Sequence, residues 1–390
     1  MITRIQTDKI KELAKQYPVI SITGPRQSGK TTLTKLCFPT YKYYNLEEPN
    51  TRDLIMSDPK SFVSRNSEGT IFDEVQKYPE LLSYIQVAVD ESKKLAQFIV
   101  TGSENLILSE KVSQTLAGRV AIFNLLPLSI IELQNNNILG NDISEIIYKG
   151  FYPRLYDLNM DSSQYYSNYL STYIERDVRL VKNIGDISNF QMFMKLLAGR
   201  VGQIFNAESF SDDLGIDSKT VSSWLSILEA TYIVFRVSPY FNNYGKRVIK
   251  SPKIYFYDTG LLCYLLNINN AKELQVHFAR GSIFENLMIT EVMKYKLNTL
   301  ALIQPYFWRD SHGNEIDLLI DQGSKTDAIE IKAGKTFKPD LARGLEYWNS
   351  IEKPNKGNNY LIYDGEIEIK TENFELLNWK SFIKILGKIK

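Results

Sequence analysis

Two groups of residues in this chain have the types and spacing to act on phosphate esters. The first is the octet Gly24-Pro25-Arg26-Gln27-Ser28-Gly29-Lys30-Thr31, followed by Thr32, which fits the phosphate-binding pattern G-x-x-x-x-G-K-[ST]. Glycines at both ends let the backbone curl so that successive N–H groups face phosphate oxygens. A helix N-terminus behind the loop adds partial positive charge. In such a loop the lysine, here Lys30, reaches the β- and γ-phosphates, and the hydroxyl of Thr31 ligates Mg²⁺. A metal site of this kind needs a second oxygen source. Thr70-Ile71-Phe72-Asp73-Glu74 supplies one, as an apolar strand ending in two acids. Asp73 is the candidate for the Mg²⁺ shell and Glu74 for polarising the attacking water. Phosphoryl transfer asks a protein mainly to position groups and stabilise charge, so these few residues can carry the reaction.

The same region offers a sensor and a charge donor. Phe98-Ile99-Val100-Thr101 reads as a strand, followed by Gly102-Ser103. Ser103 is the first candidate to sense the γ-phosphate and Thr101 the second; a strand-capping turn fits the same residues. Arg119 stands at an element boundary before the apolar run Val120 to Phe123. Two roles fit it: an arginine finger across a subunit interface, worth about 10³–10⁵ in rate, or a structurally paired arginine.

The second group lies near the other end. A helix over residues 281–295 carries Glu285, a hairpin turns at Ser311-His312-Gly313-Asn314, its returning strand carries Asp317, and a further strand carries Glu330 and Lys332. Residues two apart on a strand share a face. Asp317 and Glu330, with Glu285 from the helix, could hold a divalent ion and activate water, while Lys332 stabilises the charge that develops on phosphorus. Helix with Glu, hairpin with Asp, then E-x-K is the pattern of the PD-(D/E)XK nuclease core; a nuclease-like fold used only for binding fits it equally. A second tripeptide, Glu368-Ile369-Lys370, has Asp364 too close upstream and reads as a solvated strand.

The elements that must position these residues follow from periodicity. Val19-Ile20-Ser21-Ile22-Thr23 is a β-branched run before the glycine loop, and Thr32 to Leu36 continues as helix. Strands near 19–23, 41–46, 70–73, 98–101 and 120–125, separated by helical patterns, give a doubly wound, mainly parallel α/β sheet. After Asn135-Asn136-Asn137 the chain turns helical. Tyr165, Tyr169 and Tyr173 form a stripe four residues apart, which reads as core packing. Residues 203–229 have helix-turn-helix spacing around Gly215-Ile216-Asp217-Ser218, with Asp217 or Ser218 as cap. The strands Tyr232 to Val237 and Lys253 to Tyr257 would form the wing of a winged helix. Its presumed recognition helix holds Lys219, Thr220, Ser222 and Ser223, while Lys246, Arg247, Lys250 and Lys253 would touch phosphates from the wing loop.

Composition sets the frame. The chain has 390 residues, 44% hydrophobic and 23% charged, enough for several cores. Net charge is +1, so nucleic-acid contact must come from local patches rather than a global basic field. Cys37 and Cys263 are the only cysteines, which excludes a disulfide framework or a zinc site and suits a reducing compartment. No signal peptide or membrane-length apolar run is evident, and a cytoplasmic setting is expected.

With Gly24–Thr31, Ile71–Gln76, Phe98–Ser103, Leu116–Val120 and Arg176–Arg179 in this order, the chain resembles a prokaryotic family of AAA-type ATPases. Members of that family carry a C-terminal domain of unknown function related to restriction-endonuclease-like folds. Ala198-Gly199-Arg200-Val201-Gly202 and Phe284-Glu285 extend the likeness across nearly the whole chain. The resemblance implies ATP rather than GTP, Mg²⁺, ring-like homo-oligomers and a connection to DNA or RNA, with Lys30, Thr31, Asp73 and Glu74 in the usual ATPase roles. The expected domains are an AAA-type P-loop domain over 1–135, a helical lid or linker over 136–190, a winged helix over 191–265 and a PD-(D/E)XK-like domain over 266–390. Two functions follow from this frame: an ATPase gating a nuclease-like domain on nucleic acid, or an ATP-driven switch that docks a protein partner.

Overall fold

β-Branched runs become the central strands. In the computed structural model, which describes residues 2–103, 112, 114–173, 186–240, 251–351 and 356–387, β1 (Val19–Thr23), β2 (Lys42–Asn45), β3 (Thr70–Asp73), β4 (Phe98–Gly102) and β5 (Val120–Asn124) form one sheet. Its order is β2-β3-β4-β1-β5 and every pairing is parallel. β1 is buried along its full length, as a strand covered on both faces must be. Alternate residues serve two cores. Val19, Phe72, Phe98 and Val100 pack on one face, against the helix Leu81–Ser92. Ile20, Ile22, Ile71 and Ile99 pack on the other, with Ile10 and Leu33 from the helices Gln6–Leu13 and Lys30–Cys37. The register sets Thr23 beside Gly102 and Asn124. Three strands therefore finish together at the edge where the glycine loop begins.

The middle of the chain is helical. The helix Ser162–Tyr173 buries Tyr165, Tyr169 and Tyr173 around Tyr152, with Tyr169 and Tyr173 stacked 6.5 Å apart. The tyrosine stripe is core. Three further helices follow, Ile187–Gly199, Ala207–Leu214 and Ser218–Ala230. Gly215 turns the chain between the last two in the left-handed region (φ 65°), and Asp217 accepts from the Lys219 N–H at 2.7 Å to cap the third. β6 (Val234–Pro239) and β7 (Lys253–Phe256) then pair antiparallel.

A two-stranded ribbon cannot bury itself, and this one does not stand alone. β6 pairs parallel with β8 (Gln304–Arg309) through Ser238 and Tyr306. β9 (Glu315–Asp321), β10 (Thr326–Lys332), β11 (Lys356–Tyr363), β12 (Ile369–Lys370) and β13 (Glu375–Asn378) complete an eight-stranded sheet of order β12-β13-β11-β10-β9-β8-β6-β7. Strands from both sides of the expected boundary at 265 thus share one sheet, and one core runs from Leu126 to Leu386.

The helix Arg280–Thr299 lies between the two sheets, touching β5 on one side and β7, β8 and β10 on the other. The sequence suggests an amphipathic helix with one wet face. Here Asn286, Thr290, Glu291, Lys294 and Asn298 are all buried. Each polar group among the first four is answered. Asn286 accepts from the Phe256 N–H at 2.7 Å and donates to the Phe256 carbonyl at 3.0 Å, which Thr290 also caps at 2.9 Å. Glu291 accepts from the Ile130 N–H at 2.8 Å, while Lys294 donates to the Leu128 carbonyl at 2.8 Å and pairs with Glu291 at 3.0 Å.

Candidate functional site

The glycine loop is shaped from within and braced from behind. A Cβ at Gly24 would meet the Leu125 carbonyl at 2.1 Å, and Gly29 sits at φ 95° before the helix Lys30–Cys37. Lys30 folds back so that Nζ donates to the carbonyls of Gly24 at 3.0 Å and Pro25 at 2.9 Å. Arg4 is buried beneath the loop. It donates to the carbonyls of Ser28 (2.7 Å) and Leu126 (2.6 Å) and pairs with Glu132 at 2.9 Å. The Ser28 hydroxyl is buried without a hydrogen-bond partner among the described residues.

Next to the loop, three neutral hydroxyls converge on Asp73. Thr31 donates to Oδ2 at 2.7 Å, Tyr43 to the same oxygen at 2.6 Å, and Thr101 to Oδ1. Burial, then the bond to Asp73, pushes the Tyr43 hydroxyl well above its ordinary pKa, so it stays a donor. No ion pair among the described residues reaches Asp73. Hydroxyl donors orient a carboxylate without supplying the counter-charge that a bound cation would bring. The adjacent Glu74 adopts a left-handed backbone (φ 59°), a conformation that costs a non-glycine residue about 1–3 kcal/mol and clusters at functional sites. Ser103 donates to Glu74 Oε2 at 3.2 Å, and Gln76 bridges Glu74 and Ser103, 3.0 Å from the latter.

Above these residues lies a cleft of about 710 Å³. Arg26, Gln27, Lys30, Thr31, Thr32 and Glu74 form one wall; Pro153, Arg154, Asp157 and Thr172 from the helical segment form the other. Arg154 was not apparent from the sequence. Pro153 signals a helix start, and the structure confirms the short helix Pro153–Asp157, but that signal concerns backbone and says nothing of chemistry.

Arg119 is paired within the chain, as the second of its two expected roles has it. Its carbonyl accepts from the Val19 N–H at 3.2 Å, at the start of β1, so it sits at the edge of the sheet opposite the loop. Its guanidinium pairs with Asp90, Nη2 to Oδ2 at 2.9 Å. Within one chain it does not join the cleft. Arg176 and Arg179, together with Lys246, Arg247 and Lys250, lie outside the described residues.

The C-terminal acids also converge, in a different manner. Asp317 on β9 accepts from the Ile331 N–H at 2.8 Å and faces Lys332 Nζ at 3.3 Å; Glu330 meets the same ammonium at 2.6 Å. Glu285 accepts from the Tyr255 hydroxyl at 2.7 Å and lies 3.5 Å from Lys253 Nζ, which also contacts Glu315. Lys253, expected at the surface of a wing loop, is instead almost wholly buried. Burial raises Glu285 to about 7 and, together with Asp317, raises Glu330 to about 9 against the pull of Lys332. For Asp317 burial pushes upward, but Lys332 and Lys253 prevail and hold it below the usual carboxylate range. Among the described residues no set of three or more His, Cys, Asp or Glu side chains is arranged to hold a metal ion. The metal roles expected of Glu285, Asp317 and Glu330 therefore do not fit this geometry, because ammonium groups stand between the carboxylates.

A parallel five-stranded sheet, a glycine loop after its β1 strand and paired acids at the end of β3 are the layout of a P-loop nucleotide-binding fold. Residues 16–134 match the family described as an AAA domain; residues 140–272 and 280–382 match two families described as domains of unknown function. An uncharacterized protein of Mycobacterium tuberculosis is 28% identical over 344 residues, covering 86% of this chain and 75% of that one. One from Methanocaldococcus jannaschii is 21% identical over 341 residues, covering 80% and 73%. Among solved structures, a Walker-type ATPase of Pyrococcus abyssi aligns with a TM-score of 0.45 at 13% identity, over 67% of this chain and 94% of that one. AMPPCP-bound DnaA from Aquifex aeolicus aligns with a TM-score of 0.29 at 12% identity, over 57% and 86%. No helix among the described residues is long and apolar enough to cross a membrane.

Proposed function

We propose that this protein binds and hydrolyses ATP with Mg²⁺ in the cleft above the glycine loop, and that its nucleotide state is passed to the C-terminal sheet. The observation that carries the reading is Asp73, whose side-chain donors among the described residues are the neutral hydroxyls of Thr31, Tyr43 and Thr101. Bound Mg²⁺ would offset the charge of the β- and γ-phosphates. Thr31 and Asp73 would hold it. Lys30 would exchange two loop carbonyls for phosphate oxygens, and the buried Ser28 hydroxyl would gain a partner. Glu74, held by Gln76 and Ser103, would orient the attacking water, with Ser103 close enough to register the γ-phosphate. Arg26 and Arg154 would face the phosphates from opposite walls. A path to the second sheet is supported by a chain of contacts. Thr23, the last residue before the loop, meets the Tyr232 hydroxyl at 2.8 Å, and Tyr232 donates to Asn124 at 2.7 Å.

The test is ATP hydrolysis by the full chain, alone and with duplex DNA, single-stranded DNA or RNA, beside Glu74→Gln. Turnover that falls by about 10²–10⁴-fold in Glu74→Gln, with ATP still bound, supports the assignment; unchanged turnover removes it. A second reading, phosphodiester cleavage by the C-terminal sheet, is favoured by the meeting of Asp317, Glu330 and Lys332. It requires nicking of nucleic acid that Asp317→Ala and Lys332→Ala each eliminate. The alternative is docking of a protein partner, and a homo-oligomer suits either. Stimulation of ATP turnover that weakens steeply with salt would mark nucleic acid, because phosphate contacts release counterions; a response indifferent to salt would mark a protein.

A further inference from the structure

Lys253 opens β7, and its side chain is only 4% exposed. An ammonium so deeply buried persists only when it is paired and hydrogen-bonded. Its partners come from two other elements: Glu315 on β9, in direct contact, and Glu285 on the helix Arg280–Thr299, 3.5 Å away. The Phe307 ring lies 5.3 Å off. Tyr255, two residues on and so on the same face of β7, donates to the same oxygen of Glu285 that faces Lys253. Asp317 follows Glu315 by two residues on β9 and shares its face; it is met by Lys332 at 3.3 Å. The lysine cannot easily withdraw. Its backbone pairs with Val237 and forms a bridge to Ile204.

These are the carboxylates a hydrolytic metal centre would draw on. A magnesium ion would need their oxygens at about 2.0–2.1 Å in near-octahedral array. An ammonium in contact with Glu315 and facing Glu285 fills the direction such an ion would approach from and repels it. The four acids are instead shared among cations of the chain itself: Lys253 with Glu285 and Glu315, Arg309 with the second oxygen of Glu315 at 3.4 Å, and Lys332 with Asp317 and Glu330.

We infer that Lys253 is a resident cation, standing where a divalent metal would otherwise bridge Glu285, Glu315 and Asp317, so that the C-terminal cluster takes no metal ion. The inference bears on the phosphodiester reading, which it disfavours against partner docking, and leaves ATP hydrolysis at the glycine loop untouched.

The experiment titrates Mn²⁺ into nucleotide-free full-length protein and reads free Mn²⁺ by electron paramagnetic resonance. An Asp73→Asn background separates any binding at the glycine loop. The wild-type cluster is expected to take up no stoichiometric ion. Lys253→Met is expected to gain one Mn²⁺ per chain and to lose it again when Asp317→Asn is added. Should Lys253→Met fail to fold without metal, Lys253→Gln keeps a polar side chain and removes the charge, and the same gain is expected. One Mn²⁺ per chain in the protein with Lys253 intact, kept in Asp73→Asn and lost in Asp317→Asn, would overturn the inference. So would a folded Lys253→Met or Lys253→Gln that binds none. ATP turnover measured on the same preparations reports separately on the glycine loop.

Discussion

Two acidic clusters lie in this chain, and they are satisfied by opposite means. At the glycine loop, Asp73 is held by hydroxyls of Thr31, Tyr43 and Thr101, which orient a carboxylate without cancelling its charge. In the C-terminal sheet, Glu285, Glu315, Asp317 and Glu330 meet cations of the chain itself, Lys253, Lys332 and Arg309, which offset part of their charge. Converging acids therefore mean different things at the two places. Among the described residues, the first site gives Asp73 neutral hydroxyl donors and opens onto a cleft; the second has brought its own cations. What separates a site awaiting a cation from a closed polar knot is the charge of the donors, not the presence of carboxylates.

The variants that would break this contrast can be ranked by expected effect. Lys30→Ala should reduce ATP turnover by about 10²–10³-fold or more, since it removes the cation aimed at the transferring phosphate; a circular-dichroism melt should show the fold intact, and retained turnover would dissolve the first half of the comparison. Arg154→Ala should act at the other wall of the cleft and raise the ATP concentration for half-maximal rate by roughly tenfold, the worth of one charge-assisted hydrogen bond of about 1.5 kcal/mol. If only stability changed, Arg154 would be a structural residue.

The C-terminal cluster is sharpened by pH. Glu330 has a folded-state pKa near 9 against an ordinary value of 4.5, chiefly because it is buried and secondly because it faces Asp317. Its carboxyl thus binds a proton more tightly in the folded chain than in the unfolded one. The stability it contributes is complete below about 4.5 and is lost as pH rises towards 9. Glu330→Gln should flatten that decline, so its melting temperature should gain on the wild type between pH 7 and 9. A parallel pair of curves would mean that Lys332 keeps Glu330 ionised. The smallest effect is expected from Tyr43→Phe. It deletes one of the three hydroxyl donors to the Asp73 carboxylate, a charge-assisted bond worth about 1.5–3 kcal/mol when fully made, and should raise the Mg²⁺ requirement of ATP turnover a few-fold while leaving ATP affinity in place.

How much of this was legible in the sequence depends on how local each cause is. The strand, loop and helix around Gly24–Thr31 are local: β-branched residues, glycine spacing and an unbroken helical run specify them before any partner is known. Asp317, Glu330 and Lys332 were legible too, because alternation along strands fixes their common face. Lys253 was misread as a surface lysine of a wing loop. Nothing near it in sequence shows that Glu285 and Glu315 arrive from other elements to bury it. The helix Arg280–Thr299 failed for a related reason. Asn286, Thr290, Glu291 and Lys294 look like a wet face, and only the second sheet closing over them makes that face an interior. Arg154 reaches the cleft through the fold of the helical segment, which spacing alone does not encode.

One consequence of that buried helix concerns how such chains can change over generations. The family matches divide the chain near residues 134–140 and 272–280, as though it were three exchangeable parts. Yet Glu291 and Lys294, from the last part, satisfy the N–H of Ile130 and the carbonyl of Leu128, which lie at the end of the first. Exchange at either seam would strand an ion pair in an interior it no longer matches. A replacement of one part must therefore bring its own partners for Glu291 and Lys294.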